Sequence, residues 1–178
     1  MELLVAGETV EPELLAEVST LAHPPRAVGV YRRDDLPRGI RSKTLALWRV
    51  ADPGNVGTLV RTADAFGAAV TLSRGCADPT GPKALRASMG AAFRVPTAPF
   101  EEAPEPWIAL VPHGGTPLAE VVLGETATFA LGAERDGLPA EVLRQCEAQA
   151  TIPQPGPAES LNVAAAGAIA LYEASRRT

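Results

Sequence analysis

The sequence predicts an α/β fold, a mostly parallel sheet with helices on both faces, and three observations carry that expectation. Apolar or β-branched runs of strand length stand at 44–50, 68–73, 92–96, 107–111, 127–131 and 149–152. Helical periodicity fills most of the intervals, over 56–66, over 83–89, weakly over 118–122, and over 138–146, where Pro139 suits a first turn. Three of the strands run straight into turns rich in Gly, Pro and Asn, and binding sites in such sheets gather at the carboxyl ends of strands.

Taken in order, residues 2–5 read as a short strand, 12–21 as a helix with Leu14, Leu15, Val18 and Leu21 on one face, and 27–31 as a second strand. That fragment is too small to bury a core of its own. The stretch from Arg32 to Lys43, with two Asp, a Pro and a Gly among five basic residues, reads as a linker. We therefore expect an N-terminal β-α-β extension over 1–37, a linker over 38–43 and one α/β domain over 44–178. A length of 178 residues suits one such domain plus an appendage.

Composition narrows the function classes. No 18-residue apolar run occurs and the first residues lack a basic stretch followed by an apolar one, so the expected setting is cytoplasmic, with no membrane partner. Cys76 and Cys146, with only His23 and His113, show no metal-ligand spacing, so no metal is expected and any cofactor is organic. The net charge of -5 argues against wholesale nucleic-acid binding, yet it is unevenly spread. Between Arg26 and Arg94 stand twelve Lys or Arg against five Asp, while acidic residues exceed basic ones by twelve in the remainder. One side suited to a polyanion follows from that asymmetry.

Three turns could carry chemistry. In Asp52-Pro53-Gly54-Asn55-Val56-Gly57, a strand ends and a helix opens whose Val56, Leu59, Val60, Ala63 and Phe66 face the core. Arg61 lies off that stripe beside Thr58 and Thr62, where helix N–H groups already favour an anion and a guanidinium fork could clamp a phosphate. A solvated Arg on an amphipathic helix fits the same spacing. Neither a Walker phosphate loop nor a dinucleotide Gly-x-Gly-x-x-Gly is present. The second turn, Gly132-Ala133-Glu134-Arg135-Asp136-Gly137, places an acid just past a strand end between two glycines. The third is the loop from Pro153 to Pro157, whose prolines and glycine forbid helix or ladder and leave backbone groups open to a ligand. Behind it Ser160 is the expected N-cap of a helix with Leu161, Ala164, Ala165, Ala168, Ile169 and Tyr172 as its apolar stripe. Small residues there suit close packing, internal or between two copies.

These turns and their order resemble the three motifs of the SpoU-type RNA ribose 2'-O-methyltransferases, the TrmH-like branch of the SPOUT superfamily. Asn55-x-Gly57-x-x-x-Arg61-Thr62-Ala63 resembles the first motif, Gly132-x-Glu134-x-x-Gly137-Leu138 the second, and Ile152-Pro153 with Ser160-Leu161-Asn162 the third. Ser88-Met89-Gly90-Ala91 matches an intervening position, and Gln154 departs from the family's frequent Met. The likeness covers about residues 44–177, while 1–37 resembles only the end of the substrate-binding domain that many members carry.

The resemblance implies a C-terminal deep trefoil knot holding S-adenosylmethionine, its adenine enclosed by Leu110, Val111, Leu131, Gly132, Ile152 and Leu161. It implies a homodimer whose sites are each completed by the partner, and a tRNA or rRNA substrate. The reaction implied is attack of a ribose 2'-oxygen on the sulfonium methyl. Arg61 is the residue matched to the family's proposed base; because a guanidinium keeps its proton in proteins, a phosphate grip with stabilisation of the developing oxyanion is the more economical role. Asn55 and Glu134 would orient Arg61 or the ribose, and Ser160 and Asn162 would fix the third loop. Base methylation within the same superfamily and a non-catalytic RNA-binding module are the alternatives.

Overall fold

The computed structural model describes residues 2–19, 23–157 and 159–177. The chain divides into two compact units, Met1–Leu36 and Pro37–Thr178. In the first, β1 (Glu2–Val5) and β2 (Ala27–Val30) pair antiparallel. Helix α1 (Pro12–Val18) opens on Pro12, whose missing N–H would be unpaired in a first turn anyway. Of the apolar face expected there, Leu15 is buried, Leu14 and Val18 are exposed, and Leu21 lies outside the described residues.

The second unit is built on seven strands: β3 (Lys43–Leu47), β4 (Ala69–Leu72), β5 (Thr97–Pro99), β6 (Trp107–Leu110), β7 (Thr116–Pro117), β8 (Ala127–Leu131) and β9 (Ala148–Thr151). Their order is β5-β4-β3-β8-β6-β9-β7 and every pairing is parallel. Because β3 sends the chain one way to β4 and later strands fill the other side, the order reverses beside β3, the place where parallel sheets open a crevice. The helices are α2 (Pro53–Ala65), α3 (Pro82–Ser88), α4 (Ala140–Leu143) and α5 (Val163–Ser175).

Alternation along each strand separates two cores. Leu45, Leu47, Val70, Ile108, Phe129 and Leu131 pack with Val56, Leu59 and Val60 of α2 and with Ala164, Ala170 and Leu171 of α5. Ala46 and Trp107 point the other way, joining Phe100, Ala103 and Val142 of α4. There the Phe100 ring makes edge contacts with Trp48 and Trp107 at centroid distances of 5.1 and 5.0 Å. The two faces are thus unequally covered: long helices lie on one, and only the short α4 and a 3-10 turn (Phe100–Glu102) on the other.

Several sequence expectations shift. The run at 92–96 is not a strand; Ala91–Phe93 forms a 3-10 turn after two left-handed residues, Met89 and Gly90, and β5 begins only past Pro96. The 118–122 helix is a 3-10 turn, Leu118–Glu120, and the 138–146 helix shrinks to α4 with Pro139 as its N-cap. Helix α5 is capped by Asn162, not Ser160, because the Asn162 side chain reaches the Ala164 and Ala165 N–H groups at 2.9 and 3.3 Å. Its buried face is Val163, Ala164, Gly167, Ala170, Leu171 and Ala174, so most of the expected stripe lies outward. Segment 38–43 sits inside the second unit: the Gly39 N–H bonds to Thr97 O at 3.1 Å, the Thr97 N–H to Pro37 O at 3.2 Å, and Arg41 Nη1 to Ala68 O at 3.3 Å. Among the described residues no helix is long and apolar enough to cross a membrane.

Candidate active site

Three corners at the carboxyl ends of the strands meet. The first follows β3, where Asp52 caps α2 through an Asn55 N–H bond of 2.9 Å and pairs with Lys83 at 3.0 Å. The Lys83 bond first, and the Asn55 N–H with it, hold the Asp52 carboxyl below the usual range. Behind this cap Gly57 lets α3 approach: a Cβ there would stand 2.3 Å from Ala84 O. The second corner follows β8, where the Gly137 N–H closes a turn onto Ala133 O at 2.9 Å. Only glycine fits at 132, since a Cβ would stand 2.1 Å from the Gly137 carbonyl carbon. The third is the loop from β9 to α5.

One chain of hydrogen bonds joins them. Asn162 Oδ1 is committed to capping α5, so its Nδ2 is the end that faces Asn55, donating to Asn55 Oδ1 at 3.0 Å. Asn55 Nδ2 is thereby turned toward Glu134 and donates to Oε1 at 3.0 Å. The cap therefore fixes the polarity of the whole chain and requires Glu134 to be an acceptor. Burial opposes ionisation of Glu134, but the Asn55 bond and backbone N–H groups of Glu134, Asp52 and Ala51 outweigh it, holding the carboxyl below its ordinary value.

Beside this chain lies an open cleft of about 790 Å³. Leu110, Val111, Leu131, Gly132, Ile152 and Leu161, the residues expected to enclose an adenine, all line it, and so do Glu134, Ser160 and Asn162. Asn55 stands just behind, through its two bonds. Arg61 does not line the cleft; it is exposed on α2 without a hydrogen bond among the described residues. The cleft is also lined by His113 and Arg135, which the sequence did not single out as site residues, and by Gln154, which the resemblance had put at the rim of the cofactor loop. Arg135 stood inside the second motif, and position 154 was marked by its departure from Met. Gln154 Oε1 is buried and has no hydrogen-bond partner.

The cleft fits S-adenosylmethionine on these features. Its volume is that of a small-molecule site, and its lining combines apolar Leu110, Val111, Leu131 and Ile152 with polar Glu134, Ser160 and Asn162. Gly132, whose Cβ space is taken by the chain's own Gly137–Leu138 backbone, keeps the turn tight beside the cleft. Among the described residues no group of three His, Cys, Asp or Glu gathers as metal ligands.

Residues 42–172 match the model of the SpoU rRNA Methylase family. The chain is 37% identical over 141 residues to the 23S rRNA (guanosine(2553)-2'-O)-methyltransferase RlmP of Bacillus subtilis, covering 73% of this chain and 56% of that one. It is 32% identical over 191 residues to the 23S rRNA (uridine(2479)-2'-O)-methyltransferase of Streptomyces viridochromogenes, covering 93% and 66%. The AdoMet-bound rRNA methyltransferase of Sinorhizobium meliloti superposes with a TM-score of 0.79 at 31% identity, over 93% of this chain and 69% of that one. The chain spans just under two thirds, or less, of the length of the curated relatives it matches.

Proposed function

This chain belongs to the SpoU rRNA Methylase family, and from that membership we propose that it transfers a methyl group from S-adenosylmethionine to a ribose 2'-hydroxyl of tRNA or rRNA. The observation that carries the proposal is the Asn162–Asn55–Glu134 chain, which ties three distant motifs to one cleft. S-adenosylmethionine would supply an electrophilic methyl on a sulfonium. Leu110, Leu131, Ile152 and Leu161 would enclose its adenine, with backbone from Val111 and Gly132 beside it. Asn55 and Glu134 would hold the sugar edge of the RNA, while Ser160 and Asn162 keep the third loop closed on the cleft.

Arg61 would grip the phosphate next to the target ribose and stabilise the charge growing on its 2'-oxygen. Its exposed position outside the cleft of its own chain supports a homodimer in which Arg61 serves the cleft of the partner subunit. The outward face of α5, with Ile169 and the 55% exposed Tyr172, would give such a dimer an apolar contact. The C-terminal segment would form a trefoil knot, and the protein would work in the cytoplasm. Residues 1–37 would be the end of a substrate-binding domain.

The test is transfer of labelled methyl from S-adenosylmethionine to bulk tRNA or rRNA followed by alkaline hydrolysis. Alkali-resistant labelled dinucleotides are the expected product, because a 2'-O-methyl group blocks cleavage. Label in a base would indicate the related base chemistry, and RNA binding with no transfer would indicate a non-catalytic module. Arg61→Ala is expected to lower turnover by about 10²–10³-fold while leaving cofactor affinity within about twofold.

A further inference from the structure

We propose that Arg49 is a further RNA-binding residue, holding a backbone phosphate of the substrate with Arg74 beside it; the inference rests on the RNA reading above. Arg49 has φ 53, in the left-handed region that side chains rarely adopt and glycine adopts freely. The fold demands that conformation. Trp48 and Val50 stand two apart, which along a strand would give them one face, yet Trp48 packs on Phe100 on one side of the sheet while Val50 joins the cluster of Val56 and Leu59 on the other. The backbone at this reversal is pinned: the Trp48 N–H donates to Leu131 O at 2.8 Å, the Arg49 N–H to Ser73 Oγ at 2.9 Å, and the Ala77 N–H to Val50 O at 2.9 Å. Glycine or asparagine is what local preference selects at such a turn, so the arginine is kept against that preference.

Nothing inside the chain uses the charge of that side chain. Arg49 is exposed and its guanidinium makes no hydrogen bond or ion pair among the described residues. Its stem lies along the Gly75 turn, where an added Cβ would stand 3.4 Å from Arg49 Cγ and 3.5 Å from Nε. Arg74 is exposed in the same turn, and its guanidinium is equally unpaired among the described residues. Because β3 and β4 pair with Leu47 opposite Leu72, Arg49 and Arg74 each leave the sheet two residues past neighbouring partners, at the carboxyl edge where the cleft opens. The acids of this corner are engaged, Asp52 with Lys83 and Asp78 with Thr80. Neither arginine lines the cleft, so the cofactor is not their ligand. Two forked cationic donors without acceptors of their own, within the basic segment of the chain, match the phosphate oxygens of an RNA backbone.

The experiment measures filter retention of bulk tRNA and rRNA fragments by wild type, Arg49→Gly and Arg49→Lys across a salt series, together with thermal unfolding of each protein. The expected result is opposite movement. Arg49→Gly relaxes the left-handed residue, so its melting temperature is unchanged or higher. Its RNA affinity at low salt falls about fivefold, and the slope of log affinity against log salt becomes shallower by about one. Arg49→Lys keeps a positive charge at the position and is expected to retain the wild-type slope. An unchanged slope in Arg49→Gly overturns the inference, as does a fall in melting temperature with unchanged RNA affinity, the signature of an arginine that only packs on Gly75. Calorimetric binding of S-adenosylhomocysteine is expected to stay within about twofold of wild type; its loss together with RNA binding would mean a displaced corner instead of a lost phosphate contact, and also overturns the inference. If wild type retains no RNA, the RNA reading itself fails and this inference with it. Where wild type retains RNA but transfers no methyl group, the catalytic reading fails alone, and a shallower slope in Arg49→Gly still supports the phosphate contact.

Discussion

At the scale of single residues, Asn162 has two tasks that one substitution can separate. Its Oδ1 caps α5 while its Nδ2 donates to Asn55. Asn162→Asp keeps an N-cap of equal quality but loses the donor, so stability is expected within about 0.5 kcal/mol of wild type with methyl transfer reduced about tenfold. Thermal unfolding and single-turnover rates measured on the same preparation check this; equal loss of both would mean that the cap alone matters. Glu134 adds a pH dependence. Its carboxyl titrates below the ordinary value of 4.5, so it contributes stability that is present above that pH and is lost as pH falls through the lowered native value. Glu134→Gln should therefore show a shallower loss of stability between about pH 5 and 3 than wild type, by denaturant titration at each pH. At this scale residue type and spacing singled out the three turns, while the roles of Asn55, Arg61, Glu134, Ser160 and Asn162 came from the resemblance. The position of Arg61 outside the cleft lining and the unpaired oxygen of Gln154 were not legible, because neither exposure nor pairing is written in a spacing.

Among elements, the parallel sheet was legible because strands covered on both faces read as continuous apolar runs, as Thr44 to Leu47 does. The run at 92–96 misled for the same reason: Ala91 and Ala92 are buried in a turn, and an apolar run of that length does not tell a strand from a buried turn. Helix α5 misled differently. Alanines surround it, so the eye follows the larger Leu161, Ile169 and Tyr172, yet the face that packs on α2 is made of small residues, with Gly167 against Leu59. Close approach of helices explains two expected losses. Gly57→Ala must push α3 away from α2 and should cost about 1–3 kcal/mol in chemical denaturation. Arg177, beyond the end of α5, donates to Val121 O at 2.5 Å and Leu118 O at 3.0 Å, and Arg177→Ala should cost about 1 kcal/mol as those carbonyls lose a charged donor.

For the whole molecule, the central claim is that one subunit provides the cleft and its partner provides the cation. The three motifs close on each other within a single chain, since Asn55, Glu134 and Asn162 are already bonded, whereas Arg61 is exposed and does not line the cleft. A site divided between two copies is not legible in one chain's spacing; only the resemblance implies it. An isologous contact through the outward face of α5 would make the two sites equivalent, and Tyr172→Glu should then shift sedimentation toward the monomer and lower transfer in proportion. The most direct measurement is complementation. Arg61→Ala and Glu134→Ala are expected to be nearly inactive as homodimers, but a doubly tagged heterodimer of the two holds one site with both residues intact. Methyl transfer by that purified heterodimer should reach about half of the wild-type specific activity, whereas a heterodimer as inactive as its parents would show that Arg61 and Glu134 work within one chain and that the divided site is wrong.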